Sequence, residues 1–258
     1  MQRSTSYIIM FAAAVCLVCA IFVSGSAVAL KSKQEANKIL DRQKKVLAVA
    51  GLLQEGSTAT PAEIGKLFED NIKAKIVVLE SGAYDETTDV TTFDQLKATK
   101  DENTSDVAPA NLAGIPRVPR KALVYQYVKG DDLKSYILPI EGKGLWSTLY
   151  GSIALDRDCN TIKGITFYQH AETPGLGGEV DNPRWKGLWP GKLAFANEKW
   201  DTPAVEVIKG MAEPGDPHQI DGLSGATITA RGVSYLVQFW LGKDGFGSYL
   251  KKMRGGAS

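Results

Sequence analysis

The sequence predicts an α+β fold: a single amino-terminal transmembrane helix, then one soluble domain with a mainly antiparallel sheet and flanking helices. Three observations carry that prediction. No charged side chain occurs from Ser4 to Leu30, and Ile8 to Val23 is unbroken apolar sequence. Between Lys121 and His170, four runs rich in β-branched and aromatic residues are separated by Gly and Asp turns. Near the carboxyl end, Val233, Leu236, Val237, Trp240 and Leu241 recur at i, i+3, i+4, i+7 and i+8, one apolar face of a helix.

The first element is the anchor, residues 1–30. About 20 apolar residues cross a ~30 Å hydrocarbon core, so this run suffices. The rival is a cleaved signal peptide, since Ala27–Ala29 reads as a cleavage site; a retained anchor is expected. Orientation is harder. Arg3 precedes the span, whereas Lys31, Lys33, Lys38, Arg42, Lys44 and Lys45 follow it. That bias favours a cytoplasmic carboxyl side, but the rule weakens when a long domain follows.

Residues 31–56 are expected to form a juxtamembrane helix or stalk, with Ile39, Leu40, Leu47, Ala50 and Leu53 near helical spacing. The soluble domain is expected over 57–258. It opens with a helix start: Thr60 as N-cap, Pro61 at the first position and Glu63 at the third. Lys73–Glu80 reads as a strand. Residues 81–119, rich in Thr, Asp, Asn and Pro, read as a polar excursion and not a core element. The four sheet runs follow, then a strand at Ala204–Gly210 and the closing helix at Val233–Leu241, stopped by Gly242.

Composition excludes several functions. A net charge of +1 with 23% charged residues provides no basic field for nucleic acid. Two histidines, His170 and His218, all but remove a multi-histidine metal site, and no zinc or phosphate-loop spacing occurs. No metal is expected. Cys16 and Cys19 lie inside the apolar run and Cys159 stands alone, so no disulfide framework follows.

Two stretches carry chemistry. In "DGLSGATITARG" (221–232), small and hydroxyl residues precede the closing helix. They either cap its free amides or hold a ligand. A phosphate suits such a site, where unpaired N–H groups and a partial positive charge coincide. In "ETPGLGG" (172–178), Pro174, Gly175, Gly177 and Gly178 make a bent backbone that can approach a flat ligand closely. Alone, that loop is an ordinary turn, and His170 and Glu172 are surface residues.

Together, "ETPGLGG" and, some fifty residues later, "D-x-x-S-G-A-T" resemble the FMN-binding domain family whose flavin is covalently attached. The resemblance implies that FMN joins through its phosphate to the hydroxyl of Thr227, with Asp221, Ser224, Gly225 and Ala226 completing the motif. With "EGKGLWS", "WKGLWPGK" and the amino-terminal span, the chain is most similar to the family of C subunits of the Na+-translocating NADH:quinone oxidoreductase (Nqr).

What this resemblance implies is an electron relay with no complete active site on this chain. Electrons from NADH would enter elsewhere in the complex and pass through this flavin to a second one on the B subunit, then to ubiquinone. Leu145, Trp146 and Leu176 would neighbour the flavin ring, although Trp146 equally suits a core. Glu172, Thr173 and the Gly177 backbone would hydrogen-bond its polar edge. Implied partners are the A, B, D, E and F subunits of the Nqr complex and a flavin transferase for maturation. The implied location is the bacterial inner membrane, with the domain periplasmic. Three other readings remain open: the G subunit of an Rnf-type ferredoxin:NAD oxidoreductase, a stand-alone exported flavoprotein carrier, and a structural protein with a merely capped helix.

Overall fold

The computed structural model describes residues 4–54, 57–196 and 202–255. Arg3 of the charge count, residues 55–56 of the expected stalk, and 197–201 and 256–258 of the expected domain lie outside the described residues. Two compact units divide the chain at Arg42 and Gln43. Residues 43–54, which the sequence assigns to the stalk, fall within the second unit.

One continuous helix, α1, runs Thr5–Val49. Its most apolar window has a mean hydropathy of 2.7, and by length and composition it can cross a membrane. In the second unit, its last residues Val46, Leu47 and Val49 are buried.

Helix α2, Pro61–Asn71, starts as the sequence specifies. The Glu63 amide donates to the Thr60 hydroxyl, and the Thr60 amide donates to the Glu63 carboxylate. It leads straight into β1 (Ile72–Val78), followed by β2 (Ala83–Asp85), α3 (Gln95–Lys100), β3 (Ser105–Val107) and β4 (Arg117–Pro119). The four predicted runs become β5 (Lys121–Lys129), β6 (Asp132–Lys143), β7 (Thr148–Asp156) and β8 (Ile162–Gln169). The main sheet has the order β2-β1-β5-β6-β7-β8, antiparallel throughout.

A short 3-10 turn (Gly177–Asp181) and α4 (Pro183–Lys186) follow, then β9 (Glu206–Val207), β10 (Gln219–Ile220), α5 (Thr227–Leu241) and α6 (Gly247–Gly255). Strand alternation sorts the apolar residues into two layers. Val77, Val124, Leu138, Ile153 and Phe167 join Leu236, Val237 and Trp240 of α5 in the main core. The other face carries Ile76, Leu123 and Ile137, with Phe68 of α2 packed edge-on against Tyr125 at 5.9 Å.

Three expectations need correction. The excursion is not peripheral: Ala113 and Ile115 are buried in the main core, because the Ala113 carbonyl accepts the Lys143 amide at the end of β6 (2.7 Å). The strand expected over Ala204–Gly210 shrinks to two residues paired in parallel with β10, since Gly210 turns the chain at φ +91°. The closing helix begins at Thr227, well before its apolar stripe, so that the small-residue motif leads directly into it and its last residue opens the first turn. Gly242 ends it by donating its amide to the Gln238 and Phe239 carbonyls, in extended rather than left-handed backbone. Helix α6 was not anticipated.

Candidate functional site

Three segments converge at one end of the sheet: the Gly144–Ser147 turn between β6 and β7, the loop after β8, and the entry to α5. Glu172 joins all three. Its carboxylate accepts from the amides of Leu145 (3.2 Å), Trp146 (2.9 Å) and Ser147 (3.1 Å) and from the hydroxyl of Thr229 (2.6 Å). Burial pushes the Glu172 carboxyl up, but the Thr229 hydroxyl and those three amides outweigh it and leave it below the ordinary value. Glu172 is therefore an ionised brace within the protein.

Glycines make this closeness possible. A Cβ at Gly144 would lie 2.7 Å from a Glu172 oxygen, and one at Gly177 would lie 2.6 Å from the Thr229 hydroxyl. A Cβ at Gly232, one turn further along α5, would strike the Lys143 carbonyl at 2.3 Å. The helix thus rests directly on the turn.

At the α5 entry, the N-cap is Ala226, and no side chain caps the helix. Ser224 is exposed and makes no cap, so the capping explanation of the motif does not hold. The first-turn amides are left available to a ligand. Gly225 has φ +69°, which an L side chain rarely adopts, and a Cβ there would meet Leu176 at 2.9 Å. This contact brings the two sequence motifs together.

The three hydroxyls of the entry are placed differently. Thr229 is 0% exposed and committed to Glu172. Thr227 is half-buried and lines a cavity of about 340 Å³ with Lys209, Gly210, Gly222, Leu223 and Arg231. Two cations therefore border the cavity that holds Thr227, at the positive end of a helix.

Leu145, Trp146 and Leu176 are 40%, 70% and 44% exposed, so Trp146 is not a core residue. Ile228 of the α5 first turn is also exposed. Thr173 is exposed, and its carbonyl accepts the Leu176 and Gly178 amides. Asp221 is half-buried and bonded within the protein: its carboxylate accepts the Ala212 amide (2.8 Å), and its carbonyl accepts the Trp185 indole (2.9 Å). Trp185 belongs to "WKGLWPGK", which explains that stretch as a strut behind the motif. His170 accepts the Glu172 amide at Nδ1 (3.2 Å), which leaves Nε2 to donate to Asp181 (2.8 Å).

Sequence reasoning missed Lys209, Arg231 and Ile228. Arg231 was readable, being one helical turn from Thr227. Lys209 was not, because only the β9–β10 pairing brings it to the cavity.

The FMN-binding domain family matches residues 144–242, from the Glu172-braced turn to the end of α5. The Na(+)-translocating NADH-quinone reductase C subunit of Pseudomonas aeruginosa is 48% identical, covering 99% of this chain and 98% of that one. The chain belongs to the family of these C subunits. The C subunit of Yersinia pestis is 46% identical over 94% of this chain and 90% of its own length. The crystal structure of Shewanella oneidensis NqrC superimposes with a TM-score of 0.78 at 34% identity, covering 85% of this chain and 99% of that one. The chain thus shares its α+β architecture with the Shewanella oneidensis protein, carries an FMN-binding domain, and is one component of an oxidoreductase complex.

Proposed function

We propose that this chain is the FMN-carrying relay component of a Na+-translocating NADH-quinone reductase, with FMN held as a phosphate ester on Thr227. The observation that carries this reading is the sorting of the three entry hydroxyls. Only Thr227 combines access, a cavity and two neighbouring cations; Thr229 is occupied, and Ser224 lies outside the helix.

Bound FMN would supply reversible electron acceptance in its ring system. The chain's residues then divide the remaining work. Thr227 would hold the phosphate, with Arg231, Lys209 and the first-turn amides balancing its charge. Leu145, Trp146, Leu176 and Ile228 supply apolar surface for the ring, and Thr173 and the Gly177 backbone lie on the same loop. Glu172, Asp221, Gly225 and Ala226 keep the segments in register.

Attachment would use FAD and a separate transferase, since the described residues lining the Thr227 cavity include no carboxylate or histidine to act as a base. The Thr227 oxygen forms a bond to the FMN phosphorus as the pyrophosphate linkage breaks. AMP leaves, and the hydroxyl proton passes to a base of the transferase. The anchor would hold the domain on the periplasmic side of the inner membrane, beside the A, B, D, E and F subunits. In this reading the domain arrangement is an anchor at 1–30, a stalk at 31–56 and the flavin domain at 57–258. Electrons leave for the flavin of the B subunit, and ubiquinone is reduced elsewhere.

Intact mass of the purified chain tests the reading. A mass increased by one FMN phosphoester, lost in Thr227→Val, is expected; an unmodified wild-type mass from cells containing the transferase would sink it.

A further inference from the structure

A second cavity, of about 300 Å³, lies where α3 and β4 cover the ends of β6 and β7. Leu96 and Lys100 from α3, Ile115, Arg117 from β4 and Tyr150 from β7 surround Glu141 there. Strand alternation turns Glu141 away from α5, because its neighbour Gly142 faces Leu236 of that helix. No hydrogen bond or ion pair among the described residues holds the Glu141 carboxylate. The Arg117 guanidinium is engaged by Ser105, whose hydroxyl accepts at 2.8 Å and carbonyl at 2.9 Å. Burial pushes the Glu141 carboxyl up to about 7, against the opposing pull of Lys100. Burial also raises the facing Tyr150 phenol, and the charge of Glu141 adds to that rise.

This acid is tied to the flavin site by its own backbone. The Glu141 carbonyl accepts the Trp240 indole of α5 at 2.7 Å. Three residues further on is Gly144, in the turn that Glu172 braces, about 10 Å away at the rise of a strand. A group bridging neutral pH so close to a redox site responds to charge added there. At about 10 Å and an effective dielectric of about 20, one added negative charge shifts a proton equilibrium by at most roughly 15-fold, and by less at a longer carboxylate-to-charge distance.

We propose that Glu141 is a proton-binding site coupled to the flavin site, taking up a fraction of a solvent proton, about half at most, when an electron is added and releasing it when the electron leaves. The inference rests on the FMN-binding reading. The electron comes from the relay's donor and stays on the flavin. The proton comes from hydronium or a buffer acid reaching the cavity from solvent: its bond to that donor breaks as an O–H bond forms on the carboxylate, and the conjugate base stays in solvent.

The test uses the flavin-loaded full chain, wild type and Glu141→Gln, in redox-difference infrared spectroscopy near pH 7. The wild type is expected to gain a protonated-carboxyl carbonyl band on reduction, sensitive to deuterium exchange and missing in the variant. The flavin potential of the variant is expected to vary less with pH than that of the wild type across about pH 5 to 9. A band that persists in Glu141→Gln, or none in the wild type, overturns the proposal. Carbon NMR of the flavin-free wild type gives a second measurement, and titration of Glu141 in the ordinary carboxylate range also overturns it. A wild-type chain that takes up no flavin in any form, read by absorbance, would instead overturn the FMN reading on which it rests.

Discussion

Thr229 donates its hydroxyl to the Glu172 carboxylate across 2.6 Å, and both residues are buried, at 0% and 5% exposed. The bond ties the loop after β8 to the first turn of α5, 57 residues later in the chain. Glu172 also closes the Gly144–Ser147 turn through three amides, so one side chain sets the relative position of every site segment. The glutamate of "ETPGLGG" thus acts through the protein it holds, and its carboxylate has no oxygen left over for a flavin.

Glu172→Gln should cost about 2–4 kcal/mol, because an amide cannot accept all of those bonds and leaves buried donors unpaired. The sign of the pH effect follows from a carboxyl held below its ordinary value in the fold. Its stabilisation is complete above the unfolded carboxyl range and is lost as pH falls through the folded value. Denaturant unfolding should therefore show the wild-type advantage shrinking in acid. An advantage that is constant down to strong acid would mean that Glu172 is not the ionised brace.

Gly177→Ala should disturb α5 before it disturbs any ligand. The added methyl would sit 2.6 Å from the Thr229 hydroxyl and 2.7 Å from a Glu172 oxygen. Neither atom can retreat without breaking their mutual bond. The expected result is a lowered melting temperature in flavin-free protein as well as in loaded protein. If only the loaded protein changes, Gly177 acts on the ring instead.

Much of the fold was legible because its signals are local. The apolar span, the Thr60–Glu63 capping box and the four alternating strands each declare themselves within a dozen residues. The α5 apolar stripe fixed the helix, but its start was misplaced because Thr, Ile and Ala before Val233 carry no amphipathic signal. The pairing of the two loops was legible only as a motif. Their physical link, Gly225 against Leu176 and Thr229 on Glu172, depends on tertiary closeness that spacing does not encode. The same reason hid Lys209 and the core role of Ala113. A cap at Ser224 was a fair local reading, overruled because Gly225 at φ +69° swings the chain so that Ala226 becomes the N-cap.

The proposed topology sets the basic residues after α1's apolar stretch against the location of the domain. Protease added to intact spheroplasts should digest the domain and leave a membrane-protected fragment from the amino-terminal part of α1. Digestion only after lysis would place the domain in the cytoplasm, as the positive-charge count alone favours.

The last prediction concerns the two cations beside Thr227. A phosphoester adds negative charge in a cavity bordered by Arg231 and Lys209, so both should assist its formation. Arg231 lies one turn from Thr227 on the same helix face, while Lys209 reaches the cavity from the loop after β9. Both are exposed, so neither change should affect folding by more than about 0.5 kcal/mol. Arg231→Ala is expected to slow flavin incorporation by purified transferase about tenfold, since charge-assisted contacts of this kind are worth about 1.5–3 kcal/mol before solvent weakens them. Lys209→Ala should have a smaller effect because its ammonium is a point charge on a flexible stem, whereas the planar Arg231 guanidinium can meet a phosphate with two donors. Thr227→Val should abolish incorporation in every background. Thr229→Val is the discriminating control: it should lower stability by releasing Glu172, yet leave the covalent mass intact. If Thr229→Val loses the flavin while Thr227→Val retains it, the residue assignment is reversed. Should Arg231→Ala and Lys209→Ala both load at the wild-type rate, the phosphate does not occupy this cavity.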